Sequence, residues 1–197
     1  MQVALGAGLF DTTVRFDGDR DVDVEMSTVS AAAGWLINDR WTARASAGVI
    51  LGGELKPGDG SVHDVDGGGI AAIGAEYRAL VGGAGELFVD LSMFLGMSWT
   101  KTAVAGSATQ KSYSATDARL GVRSGYNVGN KFFPFLGLRV FGGPVKWELA
   151  DEDVTGSDIH HYQVALGAAA QLGRIGLFAE YAGLGEKAFS AGLSTAW

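Results

Sequence analysis

The run Leu87-Phe88-Val89-Asp90-Leu91-Ser92-Met93-Phe94-Leu95-Gly96-Met97-Ser98-Trp99 decides the fold. Its odd positions are all apolar, and its even positions mix small, charged and aromatic residues. A period of two belongs to a strand, because at 3.6 residues per turn the same stripe would wind right around a helix. The alternation recurs at Tyr162, Val164, Leu166, Ala168, Ala170 and Leu172, and again at Phe189, Ala191, Leu193, Thr195 and Trp197.

Turn signals frame these runs near Asn38-Asp39, from Val81 to Gly85, at Gly129-Asn130 and at Gly173-Arg174. They recur at roughly 45 residues, the length of two long strands plus one polar loop. Longer polar stretches fall between them: Asp11 to Arg20, Lys56 to Asp66, Ala105 to Lys111 and Ala150 to Asp158, with a shorter one at Gly185 to Lys187. Five long and four short connections predict ten antiparallel up-and-down strands with both termini at the short-turn end. Eight strands is the alternative count. In the second strand Val22, Val24 and Met26 favour even positions, whereas Val29, Ala31, Ala33 and Trp35 favour odd ones, which predicts a bulge near Thr28. Gly142-Gly143-Pro144 predicts a bend or register change late in the seventh strand. No linker interrupts the pattern, so residues 1–197 read as one domain.

Composition removes other classes. Thirty-one glycines with three prolines and no Gly-X-Y period exclude collagen, and 47% hydrophobic residues exclude disorder. There is no cysteine, hence no disulfide or thiolate metal site. Fifteen basic against 22 acidic residues give a net charge of -7, which speaks against nucleic acid as a partner. No run of 18 apolar residues is present to make a transmembrane helix. Met1 to Gly8 lacks the charged start and apolar middle of a signal peptide, which suits a mature exported chain with an added Met1.

The face that points inward decides the medium. A soluble barrel buries its apolar face, whereas a membrane barrel turns it outward to lipid. Here the polar face is mostly Gly, Ala and Ser with isolated charges, while Lys is scarce and confined to loops and strand ends. Trp41, Tyr77, Tyr126, Phe132 and Trp197 collect at the short-turn end, and Trp99, Trp147, Tyr162, Tyr181 and Phe189 toward the loops, as two interfacial girdles require. The reading is an all-β transmembrane barrel. Its inward charges are then Glu25, Arg44, Glu76, Arg78, Asp90, Asp117, Arg119, Arg123, Arg139 and Glu180, five of each sign. Isolated ions must pair or stay wet, so the balance predicts a lumenal ion-pair network rather than a selective ring.

The C-terminal run Ser190-Ala191-Gly192-Leu193-Ser194-Thr195-Ala196-Trp197 resembles the assembly signal of bacterial outer-membrane β-barrels. Ser190 and Gly192 fit that signal, with Trp197 where Phe is more usual and Thr195 where a more hydrophobic residue is. The layout of the whole chain is similar to small barrels of the outer-membrane protein A and opacity-protein type. The resemblance implies insertion by the barrel-assembly machinery, contact with the bilayer and lipopolysaccharide, periplasmic termini and extracellular long loops. It implies no particular activity.

Function is therefore expected to be non-enzymatic, either a structural anchor or a narrow passive pore for small polar solutes, with no cofactor and no metal. One alternative is an outer-membrane hydrolase, of the omptin protease or a lipid-modifying type. It would use His160 or His161 with Asp151 or Asp158, in an acidic stretch that also holds Glu152 and Asp153. The His-x-Ser pattern of lipid A deacylases is missing, and adjacent strand histidines point to opposite faces. Adhesion or partner binding through the acidic loops is a further alternative. Gly67-Gly68-Gly69-Ile70-Ala71-Ala72 fits G-x-G-x-x-A with Asp90 beyond it, but the rest of the chain offers no strand–helix–strand units to support a nucleotide fold.

Overall fold

The computed structural model describes residues 1–197 except 19, 105, 106, 108, 150, 151 and 197. Two residues of interest, Asp151 and Trp197, thus lie outside the described residues. The alternating runs form β1 (Gln2–Phe16), β2 (Arg20–Leu36), β3 (Trp41–Pro57), β4 (His63–Val65), β5 (Gly68–Leu80), β6 (Leu87–Val104) and β7 (Gln110–Tyr126). They continue through β8 (Phe132–Gly142), β9 (Val145–Leu149), β10 (Glu152–Asp158), β11 (Tyr162–Leu172), β12 (Ile175–Gly185) and β13 (Lys187–Ala196). All pairings are antiparallel. Three passes are each interrupted once, at β4/β5, β8/β9 and β10/β11, so the thirteen segments make the ten passes expected.

The ring closes twice. From Gln2↔Ala196 to Asp11↔Lys187, β1 pairs with β13. Farther toward the loops, Val14 to Phe16 pair instead with Gly156 to Asp158 of β10. At the junction, the Ile159 amide donates to the Thr13 carbonyl at 3.0 Å and the Thr12 hydroxyl to Asp158 Oδ2 at 2.5 Å. The β12–β13 hairpin therefore ends part-way up. Ten strands wall the turn end, and β1, β2, β3, β4, β6, β7, β9 and β10 wall the loop end as a ring of eight.

The two ends have opposite polarity. At the turn end the apolar side chains look outward: Leu5 is 58% exposed, Leu95 57% and Leu166 66%. At the loop end Val14, Phe16, Val22, Val24, Met26, Leu55, Val65, Tyr113, Val145, Trp147 and Val154 fill the interior as one buried cluster. An eight-stranded ring is just wide enough for side chains to fill, which allows a dry core there. Charges move to its outside. Arg15 forks Asp21 at 2.7 and 2.9 Å, the Thr13 hydroxyl donates to Asp23 at 2.6 Å, and Lys56 bridges Glu25 and Glu54 at 2.9 Å each.

This inversion corrects several expectations. In β2 the even positions face inward from Val22 through Gly34, so no parity break exists; the apolar residues change face because the interior changes character. A register shift does fall at Ser27/Thr28, but the extra residue is Leu51 in β3, beside Gly52 at φ 154°, a conformation open mainly to glycine. Glu25 consequently lies on the outer face, half exposed, and is not a lumenal charge. Trp147 is not in the loop-side girdle: it is 1% exposed, inside the ring of eight. At Gly142-Gly143-Pro144 the ladder breaks without changing register, since Ala118↔Gly142 and Ala115↔Val145 stay in line. Much of Asp11 to Arg20 and Ala150 to Asp158, expected as loop, is strand in the loop-end wall.

Candidate functional site: the charged lumen

Below the dry core, the turn-end interior is wider by two strands and must be filled or left wet. The floor of that interior is small, with Gly6, Ser30, Ala32, Ser46, Ala72 and Gly96 on inward positions. Long arginine side chains reach across the space that these residues leave. Arg139 on β8 forks Glu180 on β12 at 2.6 and 2.7 Å and donates to Gln163 Oε1 on β11 at 2.6 Å. Gln163, 3% exposed, passes the network on through Nε2 to Glu186 Oε1 at 3.0 Å. Arg119 on β7 holds Glu186 at 3.0 and 3.4 Å and Asp117 at 3.1 Å, and its guanidinium lies 4.5 Å from the centre of the Phe141 ring.

A second set sits nearer the turns. Arg123 donates to Asp90 Oδ2 at 2.7 Å and stacks over Phe135 at 5.3 Å, and Arg78 reaches Asp90 Oδ1 at 3.5 Å. Arg44 and Glu76 pair at 2.8 Å across β3 and β5. Forked, charge-assisted contacts of this kind fix geometry as well as neutralising charge. Between the sets a cavity of about 90 Å³ is lined by Glu76, Asp90, Ser92, Arg119, Arg123 and Arg139. At ~30 Å³ per molecule it holds about three waters.

Nine of the ten charges assigned to the lumen from sequence thus meet there; Glu25 does not. The acid missed is Glu186, 8% exposed, and it restores five acids to five arginines. It sits in a three-residue connection that reads as an exterior loop. The signal for it is the brevity of β12 and β13, which places that turn at mid-height with Glu186 on the inward parity. Gln163 likewise had no charge to draw notice.

The aromatic residues divide by end. Trp41 and Tyr77 pack at 4.9 Å between ring centres on the turn side, where Tyr126 and Phe132 are also exposed. Trp99, Tyr162, Tyr181 and Phe189 are exposed on the loop side. In β13, Ser190 and Gly192 face inward and Thr195 outward. A side chain at Gly192 would strike the Leu5 carbonyl and the Phe178 ring.

Among the described residues, the candidate hydrolase set does not come together. Asp158 is engaged by the Thr12 hydroxyl and, at 2.6 Å, by the His160 amide, so it pins the closure of the ring of eight. His161 is exposed and His160 half-buried, with the His160 ring edge-on to Tyr162 at 6.5 Å. His63 is the buried histidine, 8% exposed, edge-on to Trp147 at 4.8 Å and 3.4 Å from Ser61 Oγ. Burial holds its pKa below the ordinary 6.5, against a smaller pull from Asp59. Its surroundings suit a neutral packing ring: Trp147 donates through Nε1 to Thr102 at 2.9 Å, and Tyr113 lies in register with Trp147. Among the described residues no three metal-ligating side chains cluster.

No protein-family model matches the chain, and no curated protein does. Solved structures match along its whole length. The outer membrane protease OmpT from Escherichia coli aligns with a TM-score of 0.62 and 11% identity, covering 100% of this chain and 95% of that one. The transport unit of the autotransporter AIDA-I from Escherichia coli gives 0.51 and 10%, covering 100% and 90%. The translocator domain of the autotransporter NalP from Neisseria meningitidis gives 0.51 and 16%, covering 100% and 88%. At these identities the likeness is one of fold. The fold is that of an outer-membrane β-barrel.

Proposed function

We propose that the chain is an integral barrel of the bacterial outer membrane, closed to solute flow, which serves as a non-enzymatic structural anchor. The apolar belt at the turn end suits hydrocarbon, and the charged outer wall at the loop end suits water beyond it. On this reading the short turns and both termini are periplasmic and the long loops extracellular. The barrel-assembly machinery and lipopolysaccharide are its expected contacts during and after insertion.

One observation carries the closed reading. A solute would have to cross the dry cluster around Trp147 and then the Arg119–Glu186–Gln163–Arg139–Glu180 bridge, with the ~90 Å³ cavity beneath. An anchor needs neither a conduit nor a catalytic base, and Asp158 and His63 are both committed to packing. Planar-bilayer recording tests it. The barrel is expected to be silent, and Arg139→Ala to stay silent because the core above is untouched. Discrete conductance steps from the unmodified barrel that change with Arg44→Ala or Arg139→Ala would establish the narrow pore instead.

A further inference from the structure

Three of the lumenal arginines stand around one glycine. On β7 the inward neighbours of Gly121 are Arg119 and Arg123, two residues away on either side. Across the ladders Gly121 lies in register with Ser92 of β6 and Arg139 of β8. Direct cross-strand neighbours on one face sit ~5 Å apart and next-but-one residues of a strand ~7 Å, so three cations meet over a position without a side chain. The cavity of about 90 Å³ is the notch that this glycine leaves. A Cβ there would fall 2.6 Å from Ser92 Oγ and 3.3 Å from Arg139 Cγ.

Like charges so placed repel. The acids that hold Arg119 and Arg139 are Asp117, Glu186 and Glu180, and none of the three lines the notch. Its own carboxylates are already engaged: Arg44 holds Glu76 at 2.8 Å, and Asp90 is shared by Arg123 and Arg78. The lining thus carries three guanidiniums against two carboxylates. Donors are in excess too. Of five N–H groups each, Arg119 and Arg139 commit three to hydrogen bonds and Arg123 one, and Ser92 adds a hydroxyl. The approach is from one side. Toward the turns the Arg78 and Arg123 side chains are 54% and 38% exposed, whereas Glu180 and Glu186 beyond the notch are 16% and 10%.

We infer that the notch over Gly121 binds one small monovalent anion, a halide or the carboxylate of a small acid, held by Arg119, Arg123, Arg139 and the Ser92 hydroxyl. A space of about three waters takes such an ion with part of its hydration. The ion supplies the negative charge that the lining lacks and ties β7 to β8 beneath the bridge. Its single entrance, from the turn side, rests on the closed reading above; the binding itself does not.

Chloride-35 NMR of the barrel folded in uncharged detergent tests it. Chloride held in the slowly tumbling barrel broadens the chloride line, and the excess width should saturate as chloride is added. Formate and bromide should each displace it, and whichever acts at the lower concentration identifies carboxylate or halide as the preferred ion. Citrate, larger than about three water volumes, should not. Arg123→Gln should weaken binding by roughly tenfold to a hundredfold, the loss of one charge-assisted hydrogen bond. Gly121→Leu should abolish binding with every cation in place, while Arg174→Gln, exposed on the turn-side rim, should change nothing. A heat-modifiable gel shift establishes that each variant has folded. Width that never saturates, that citrate removes, or that persists in folded Arg123→Gln overturns the inference and leaves the notch to water. Conductance steps in a bilayer would overturn the closed reading instead, with the line width still deciding the site.

Discussion

The turn-end and loop-end halves of this barrel share their strands yet obey opposite rules. Along β1, the outward residues run Leu5, Ala7, Leu9 and then Asp11, Thr13, Arg15; the inward ones run Gly6, Gly8 and then Thr12, Val14, Phe16. Nothing in the backbone changes between the two sets. A strand passing from lipid into water must exchange the polarity of its faces, and sequence alone can do that. The number of strands changes with it: the narrower ring is filled by packed hydrocarbon, the wider by arginine forks across small residues.

Substitutions that ask the two halves the same question should receive different answers. The largest effect is expected at Trp147. Truncation of a fully buried tryptophan costs about 3–5 kcal/mol, so Trp147→Ala should lower the unfolding free energy from urea titration by that amount and expose the loop-end amides to hydrogen exchange. Turn-end amides should keep their protection; uniform loss would mean that the two halves are one cooperative unit.

Next comes one cation placed on the outer wall at two heights. Leu95→Arg faces hydrocarbon and should cost about 2–4 kcal/mol in vesicle-refolding titrations, whereas Thr13→Arg, beside Asp23, should stay within about 0.5 kcal/mol. Equal costs would erase the boundary drawn between the halves.

The smallest effect is set by pH. The folded imidazole of His63 is harder to protonate than the ordinary 6.5, because burial disfavours its charged form. Above about pH 6.5 folded and unfolded chains both carry it neutral. As pH falls below that value the unfolded chain takes the proton first, and loop-end stability declines until the folded ring is protonated too. His63→Phe should flatten the decline between about pH 6.5 and 5, measured as the urea midpoint of loop-end exchange. An unchanged slope would assign the decline to other groups.

Much of this was legible in the residues. The alternation from Leu87 to Trp99 gives the strand, the turn spacing gives ten passes, and the small-residue face gives nine lumenal charges. What stayed hidden follows from one assumption, that a strand keeps one apolar face. It made Val22, Val24 and Met26 look like a parity error, put Glu25 inside and sent Trp147 to the membrane surface. The correcting signal was present in Thr12, Val14 and Phe16, an alternation of opposite sign inside a stretch taken for loop. Glu186 needed the strand lengths, which only three-dimensional pairing supplies.

The shared edge of β1 also ties the two seams together. Bringing the two ends of the chain together is the costly encounter, because nearly the whole polypeptide must be looped before Gln2 meets Ala196. Once that zipper has run up to Lys187, Thr13 already stands beside Ile159, and the upper seam follows with little further loss of freedom. The cap is thus a second latch on the same hoop, and while shut it opposes unzipping of the first strand from the last.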